Sequence, residues 1–93
     1  MLFVCTVTID PECRDESTAR LMEHGGIVVP EGVKLHGAWI SLTQQEAWSV
    51  LEADSAEALM KLYEPWTDLN MHQITPVMDF ADLKKFLDAE DQR

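Results

Sequence analysis

The sequence predicts a single α+β domain, a ferredoxin-like βαββαβ sandwich with one helix added at its C-terminus. The order of the strand and helix patterns along the chain is the first observation behind this prediction, and the length of 93 residues, which suits one hydrophobic core, is the second. With right-handed crossovers, this order places two helices on one face of a four-stranded antiparallel sheet. We assign residues 1–80 to this domain and residues 81–93 to its C-terminal helical extension.

The first strand and the first helix are marked by composition and by capping signals. Leu2 to Ile9 is apolar and rich in β-branched residues, which favours a buried strand. The run Asp10-Pro11-Glu12 is typical of a helix start, with an oxygen-bearing cap, proline at the first helical position and an acid in the first turn. We expect this helix to run to about His24 and to stop at Gly25-Gly26.

A β-hairpin follows, and then a second helix. We predict strands over Val33–Ser41 and Glu46–Glu52, joined by a connection at residues 42–45. Asp54 followed by Glu57 gives the capping-box pattern of a helix that we expect to reach Tyr63. Pro65 ends this helix, because the residue before a proline resists the helical conformation.

The last two predicted elements are a strand and a helix. We predict the fourth strand over Met71–Met78. Asp79 is the predicted cap of the final helix, in which Phe80, Leu83 and Leu87 recur at helical spacing.

Both faces of the predicted sheet are apolar. In the first strand, Phe3, Cys5 and Val7 alternate with Leu2 and Val4. Two helices can cover one face, so the other face must be covered by the C-terminal helix or by a second copy of the sheet. We favour the second copy, which makes the protein a homodimer closed as a dimeric α+β barrel.

Composition excludes several classes of function. Seven Lys and Arg against 17 Asp and Glu give a formal net charge of -10, which disfavours nucleic acid and anionic membranes as partners. No apolar run approaches the ~18 residues of a membrane span, and the N-terminus lacks the charged start of a secretory signal, so we expect a cytoplasmic protein. Cys5 and Cys13 lack the spacing of a zinc site or a disulfide framework. Glycine-rich phosphate motifs, GxGxxG and HExxH are absent from the sequence, so we predict neither cofactor nor metal.

The hairpin places two tryptophans opposite each other. If the strands pair symmetrically about residues 42–45, the cross-strand pairs on this face are Trp39–Trp48, Gly37–Val50 and Leu35–Glu52. Two indoles with a glycine gap form a wall suited to a planar ligand, so Trp39, Trp48 and Gly37 are candidate ligand-binding residues. The alternative interpretation is that both indoles fill the core of the dimer.

Three side chains are candidates for proton transfer. Glu52, held on an otherwise apolar face, could serve as a general base, although its place at the end of a strand also allows a solvated side chain. His36 and His72 lie on the two outer strands, and histidine is the side chain most often used for proton transfer near neutral pH. Neither histidine has a second ligand at i+2 or i+4, so we predict no metal site.

Arg14 is the fourth candidate ligand-binding residue. It shares a stripe of the first helix with Thr18 and Leu21, and a guanidinium there could bind a carboxylate ligand through two hydrogen bonds. The alternative is an ion pair with one of three acids, namely Asp10, Asp15 or Asp68.

Five segments resemble a family of short bacterial proteins of unknown function in the dimeric α+β barrel superfamily: Pro30–Leu35, Gly37–Trp39, Leu51–Leu59, Pro65–Leu69 and Thr75–Val77. The resemblance covers roughly residues 1–80 and implies a homodimer with ligand cavities near the barrel. The superfamily that the sequence resembles includes cofactor-independent monooxygenases, muconolactone-isomerase-like enzymes and haem-using peroxidases, whereas the close family implies no established activity. Ile40 stands where the family often has a histidine after the tryptophan, and Glu46-Ala47 replaces a glycine-rich entry into the third strand.

The residues and the resemblance together leave two hypotheses about function. In the first, a small homodimer binds an aromatic or planar metabolite in the barrel cavity, with isomerisation, cyclisation or cofactor-free oxygenation as the chemistry. In the second, the protein is a non-catalytic module for ligand binding or protein interaction, with Glu52 and the histidines exposed. The sequence does not decide whether the protein is an enzyme.

Overall fold

The structure, a computed structural model, describes residues 1–91. The strands are β1 (Leu2–Ile9), β2 (Val33–Ile40), β3 (Glu46–Ala53) and β4 (Asn70–Val77), and the helices are α1 (Arg14–Glu23), α2 (Ala56–Tyr63) and α3 (Phe80–Asp91). The four strands form one antiparallel sheet in the order β2-β3-β1-β4. The βαββαβ order with a C-terminal helix is therefore confirmed. The last two residues of the predicted extension 81–93 lie outside the described residues.

The start of α1 differs from the prediction. A 3-10 turn over Pro11–Cys13 precedes α1, which begins at Arg14 and not at the proline. The predicted end is confirmed, because the Gly26 amide donates to the Leu21 carbonyl (2.9 Å) and Gly25 has a φ of 71°. This left-handed exit is the conformation that glycine adopts without a steric penalty.

The cap of α2 is Ser55 and not Asp54. The Ser55 hydroxyl oxygen accepts a hydrogen bond from the Ala58 amide (3.2 Å), which satisfies one of the free donors of the first turn. The Asp54 amide instead donates to the carbonyl of Gly32 (2.9 Å) and ties the start of α2 to the turn before β2.

The hydrophobic core lies between α2 and the sheet. Leu51 of β3 is fully buried and packs with Leu59 and Leu62 of α2. Phe3 and Leu35 are packed against this cluster from β1 and β2. We call the side of the sheet that carries these side chains the helix face, and the opposite side, which carries Trp39, Trp48 and Glu52, the open face.

A β-bulge at His36 changes the register of β2. Leu35 pairs with Leu51, but Gly37 pairs with Val50, so His36 is an extra residue without a partner. The predicted Leu35–Glu52 pair is therefore wrong, and Lys34 stands opposite Glu52. The bulge turns Leu35 into the core while it keeps Trp39 opposite Trp48 and Gly37 opposite Val50, as predicted.

The open face is left uncovered by the C-terminal helix. None of the residues of α3 is buried, and Phe80 and Phe86 are 88% and 54% exposed. On the open face, Trp39 and Met71 are exposed as well. The sequence allows two covers for this face, the C-terminal helix or a second copy of the sheet, and α3 does not shield these side chains. Across residues 1–91, no helix is both long enough and apolar enough to cross a membrane.

Candidate functional site

The two tryptophans of the open face are held by their strands and by a glycine. Trp39 and Trp48 are cross-strand partners, with 59% and 37% of their surfaces exposed. A Cβ atom at Gly37 would lie 2.6 Å from the Trp39 ring, so the indole lies directly over the glycine. Gly37 therefore sets the position of the Trp39 ring, and a larger residue would displace it.

Beside the indoles, the bulge brings a histidine and a glutamate together. The His36 Nε2 atom lies 3.0 Å from the Glu52 Oε1 atom. A carboxylate in this position orients the imidazole ring through a hydrogen bond, an arrangement that recurs where histidine transfers protons. This contact was missed by the sequence reasoning, because strict alternation along β2 places His36 and Gly37 on opposite faces.

His72 and Arg14 lie away from this cluster. His72 pairs with Val7 on the helix face, where its ring centre is 4.9 Å from that of Tyr63. Burial lowers the pKa of His72 below its usual value, which favours the neutral imidazole. Arg14 forms an ion pair with Asp15 (3.1 Å), one of the three acids considered for it. The structure thus groups Trp39, Trp48, Gly37, His36 and Glu52 on one face, and their binding and catalytic roles remain predictions.

A second arginine fixes α1 to the loop after α2. Arg20 contacts Asp68 (Nη1–Oδ1, 2.6 Å) and donates to the carbonyl of Pro65 (2.8 Å). The guanidinium of Arg20 holds the pKa of the Asp68 carboxyl below its usual range. No local sequence pattern predicts this contact, because 48 residues separate the partners. Its role is to position α1 above the sheet.

The helix face holds polar groups that the sequence analysis did not select. The Ser17 hydroxyl donates to the amide oxygen of Asn70 (2.8 Å), and Ser17 is itself buried. The Tyr63 hydroxyl is buried beside Cys5 and Ser49 and makes no hydrogen bond of ordinary geometry within the described residues. Burial also raises the pKa of Tyr63 and of the Cys5 thiol, so Cys5 is a poor nucleophile.

Metal-binding side chains are dispersed. Within residues 1–91, no three His, Cys, Asp or Glu side chains are grouped so as to hold a metal ion. The His36–Glu52 pair supplies two such side chains, fewer than the three protein ligands of a typical catalytic zinc site.

The fold and the open face define a small α+β protein of ferredoxin-like topology. The chain belongs to the DUF3303 family, described as a domain of unknown function, whose family model matches residues 1–91. The resemblance to a family of unknown function is thereby confirmed at that level. A comparison with the curated proteins finds no match.

Proposed function

We propose that the protein is a homodimer whose two open faces close around a small aromatic or planar metabolite. The ligand lies against Trp39 and Trp48, and the His36–Glu52 pair transfers a proton to or from it. The reactions open to such a site are isomerisation, cyclisation and cofactor-free oxygenation. The observation that carries this proposal is the uncovered sheet face, which carries two cross-strand tryptophans together with a hydrogen-bonded carboxylate and imidazole.

The exposed surface of the chain supports a second copy as the cover. The chain exposes 6891 Å² of surface, whereas a compact monomer of 10.6 kDa exposes roughly 5,500 Å². The excess, roughly 1,400 Å², comes from the exposed α3 as well as from the open face, and it is larger than the ~800 Å² that each partner buries in a stable interface of standard size. An exposed pair of tryptophans is also typical of surfaces that are covered in the assembled protein.

The spacing along β3 sets the size of the ligand. Glu52 follows Trp48 by four residues, which is about 13 Å along a strand. The Gly37–Val50 pair lies between them, and the Trp39 ring lies over Gly37, the residue that follows His36. A fused-ring compound that stacks on the indoles would therefore present its edge to the His36–Glu52 pair.

The non-catalytic hypothesis is favoured by one observation of its own. The side chains of His36 and Glu52 are 35% and 52% exposed in the single chain, as expected for a solvated pair. In this second candidate function, the dimer binds the same class of ligand without transforming it.

Light scattering and native mass spectrometry test the dimer and the ligand together. We expect a dimer for the wild-type protein, a monomer for Trp48→Glu, and a dimer for Leu42→Glu. The last is the matched control, since Leu42 is fully exposed at the hairpin tip. Trp48→Glu places a carboxylate in the closed barrel, where an unpaired charge is strongly unfavourable. A monomeric wild type, or a Trp48→Glu dimer as stable as the control, would overturn the proposal.

A compound that stays bound to the purified dimer decides between the two candidate functions. For an enzyme, Glu52→Gln should retain binding of that compound and lose its turnover. For a binding module, wild type and Glu52→Gln should both bind it and neither should transform it.

A further inference from the structure

A cavity of about 300 Å³ lies on the other side of the sheet, between α1 and the helix face. The cavity opens to solvent, since Trp39 and Ile40 in its lining are more than half exposed, and ligand pockets begin at about this volume. The cavity lies within a single chain. It is therefore present whether or not the open faces pair.

Small side chains create this space. The sheet below α1 presents Ala38, Ala47 and Ser49 to the cavity, whereas below α2 it presents Leu51. From above, α1 contributes Ser17, Thr18 and Leu21 to the lining. The sequence therefore places small residues on both sides of the gap, and Arg20 holds α1 above it through Asp68.

The lining favours an uncharged ligand. Among the described residues that line the cavity there is no Asp, Glu, Lys or Arg, and its histidine, His72, is shifted towards the neutral form. In a chain with a net charge of -10, an anion would be repelled, and a cation would find no carboxylate here. Most of the lining is apolar, with aliphatic side chains such as Val7 and Ile9 from β1.

One edge of the cavity can donate a hydrogen bond. Asn70 and His72 stand two residues apart on β4 and both line the cavity. Because the Ser17 hydroxyl donates to the amide oxygen of Asn70, the amide nitrogen of Asn70 is left to donate to a ligand.

We infer that this cavity is a binding site for an uncharged, largely apolar molecule of up to two fused rings, with a hydrogen-bond acceptor at the Asn70 end. This site goes beyond the proposed function, because most of its lining comes from α1 and the helix face and not from the open face. Trp39 and Trp48 border the cavity as well, so tryptophan fluorescence would not separate the two sites.

Amide NMR titration of the full chain distinguishes binding in the cavity from binding on the open face. The probe is 2-acetylnaphthalene, compared with naphthalene, which lacks the acceptor, and 2-naphthoate, which is charged. We expect saturable shifts at Ser17, Leu21 and Asn70, tighter binding of the ketone than of naphthalene, and weak binding of the carboxylate. Asn70→Leu should lower the affinity for the ketone to that for naphthalene, a decrease of about tenfold for the loss of one hydrogen bond.

Filling the cavity is the second test. Ala47→Leu should abolish ketone binding, while Ala89→Leu, the same substitution on the exposed surface of α3, should leave it unchanged. The inference is overturned if the wild type shows no saturable shifts, if Ala47→Leu binds the ketone normally, or if the shifts cluster on the open face. If Ala47→Leu fails to fold, the location of the wild-type shifts and the Asn70→Leu comparison decide the matter alone. The oligomeric state does not enter this test, so its failure and that of the dimer are distinguishable.

Discussion

Replacing Gly37 by alanine should displace the Trp39 indole without unfolding the protein. The new methyl carbon would lie 2.6, 3.0 and 3.3 Å from three atoms of the ring, and two non-bonded carbons normally stay about 3.5 Å apart or more. The ring must therefore move by roughly 1 Å. Because Trp39 is 59% exposed, it can swing outwards, so the loss is confined to its contacts on the sheet.

The expected change in the free energy of unfolding is the difference between two opposing effects. Alanine in a strand interior is favoured over glycine by roughly 0.5–1 kcal/mol, because it restricts the unfolded chain. Displacement of the indole forfeits a similar amount of packing, about 0.5–1.5 kcal/mol for an aromatic contact. We therefore expect Gly37→Ala to change the free energy of unfolding by less than about 1 kcal/mol in the wild-type background.

A double-mutant cycle isolates the clash. In a Trp39→Ala background no ring lies over residue 37, and Gly37→Ala should then stabilise the protein by the full 0.5–1 kcal/mol or so. The assay is urea unfolding of the four variants, with the indole N–H resonance of Trp39 as a direct report of ring displacement. Equal stabilisation in both backgrounds, with an unmoved resonance, would refute the argument that the ring lies on Gly37.

Three further predictions concern the core, the α2 cap and pH. Leu51→Ala should lower the free energy of unfolding by about 3 kcal/mol, because Leu51 is fully buried. Leu42→Ala, at the exposed hairpin tip, should change the free energy of unfolding little. Similar losses for the two variants would contradict the assigned core. Ser55→Ala should cost about 1 kcal/mol, and Ser55→Asp should restore most of it, in thermal unfolding monitored by circular dichroism. The pKa of His72 is lower in the folded than in the unfolded protein. Below about pH 6.5, the unfolded chain therefore binds more protons than the folded chain, and the free energy of unfolding decreases as the pH falls. The slope is at most about 1.4 kcal/mol per pH unit, and His72→Gln should reduce it; an unchanged slope would exclude His72 as its source.

Local signals in the sequence were sufficient for most of the fold. Each strand and helix was predicted to within a few residues, because apolar alternation, glycine exits and capping residues act over a few positions. The cap of α2 shows the limit of this resolution. Asp54 and Ser55 are both good caps, and the choice of Ser55 depends on the engagement of Asp54 with the turn at Gly32.

The candidate sites depend on contacts between residues far apart in the sequence, which no local pattern encodes. The bulge at His36 forms where Leu35 meets the core below α2, and this bulge alone brings His36 to Glu52. The Arg20–Asp68 contact and the cavity under α1 depend on how two distant parts of the chain pack. The small residues at positions 38, 47 and 49 were visible in the sequence, but their alignment under one helix was not.

The same bulge has a consequence for the outer edge of the sheet. In the order β2-β3-β1-β4, β2 is an edge strand, whose unpaired backbone groups could template the addition of a foreign strand. An extra residue in its middle bends the strand and breaks the even spacing of its free N–H and C=O groups. At the other edge, β4 carries Pro76, which lacks an N–H group. Edge-to-edge growth into fibrils is thereby disfavoured on both sides, which leaves the faces of the sheet as its surfaces for association.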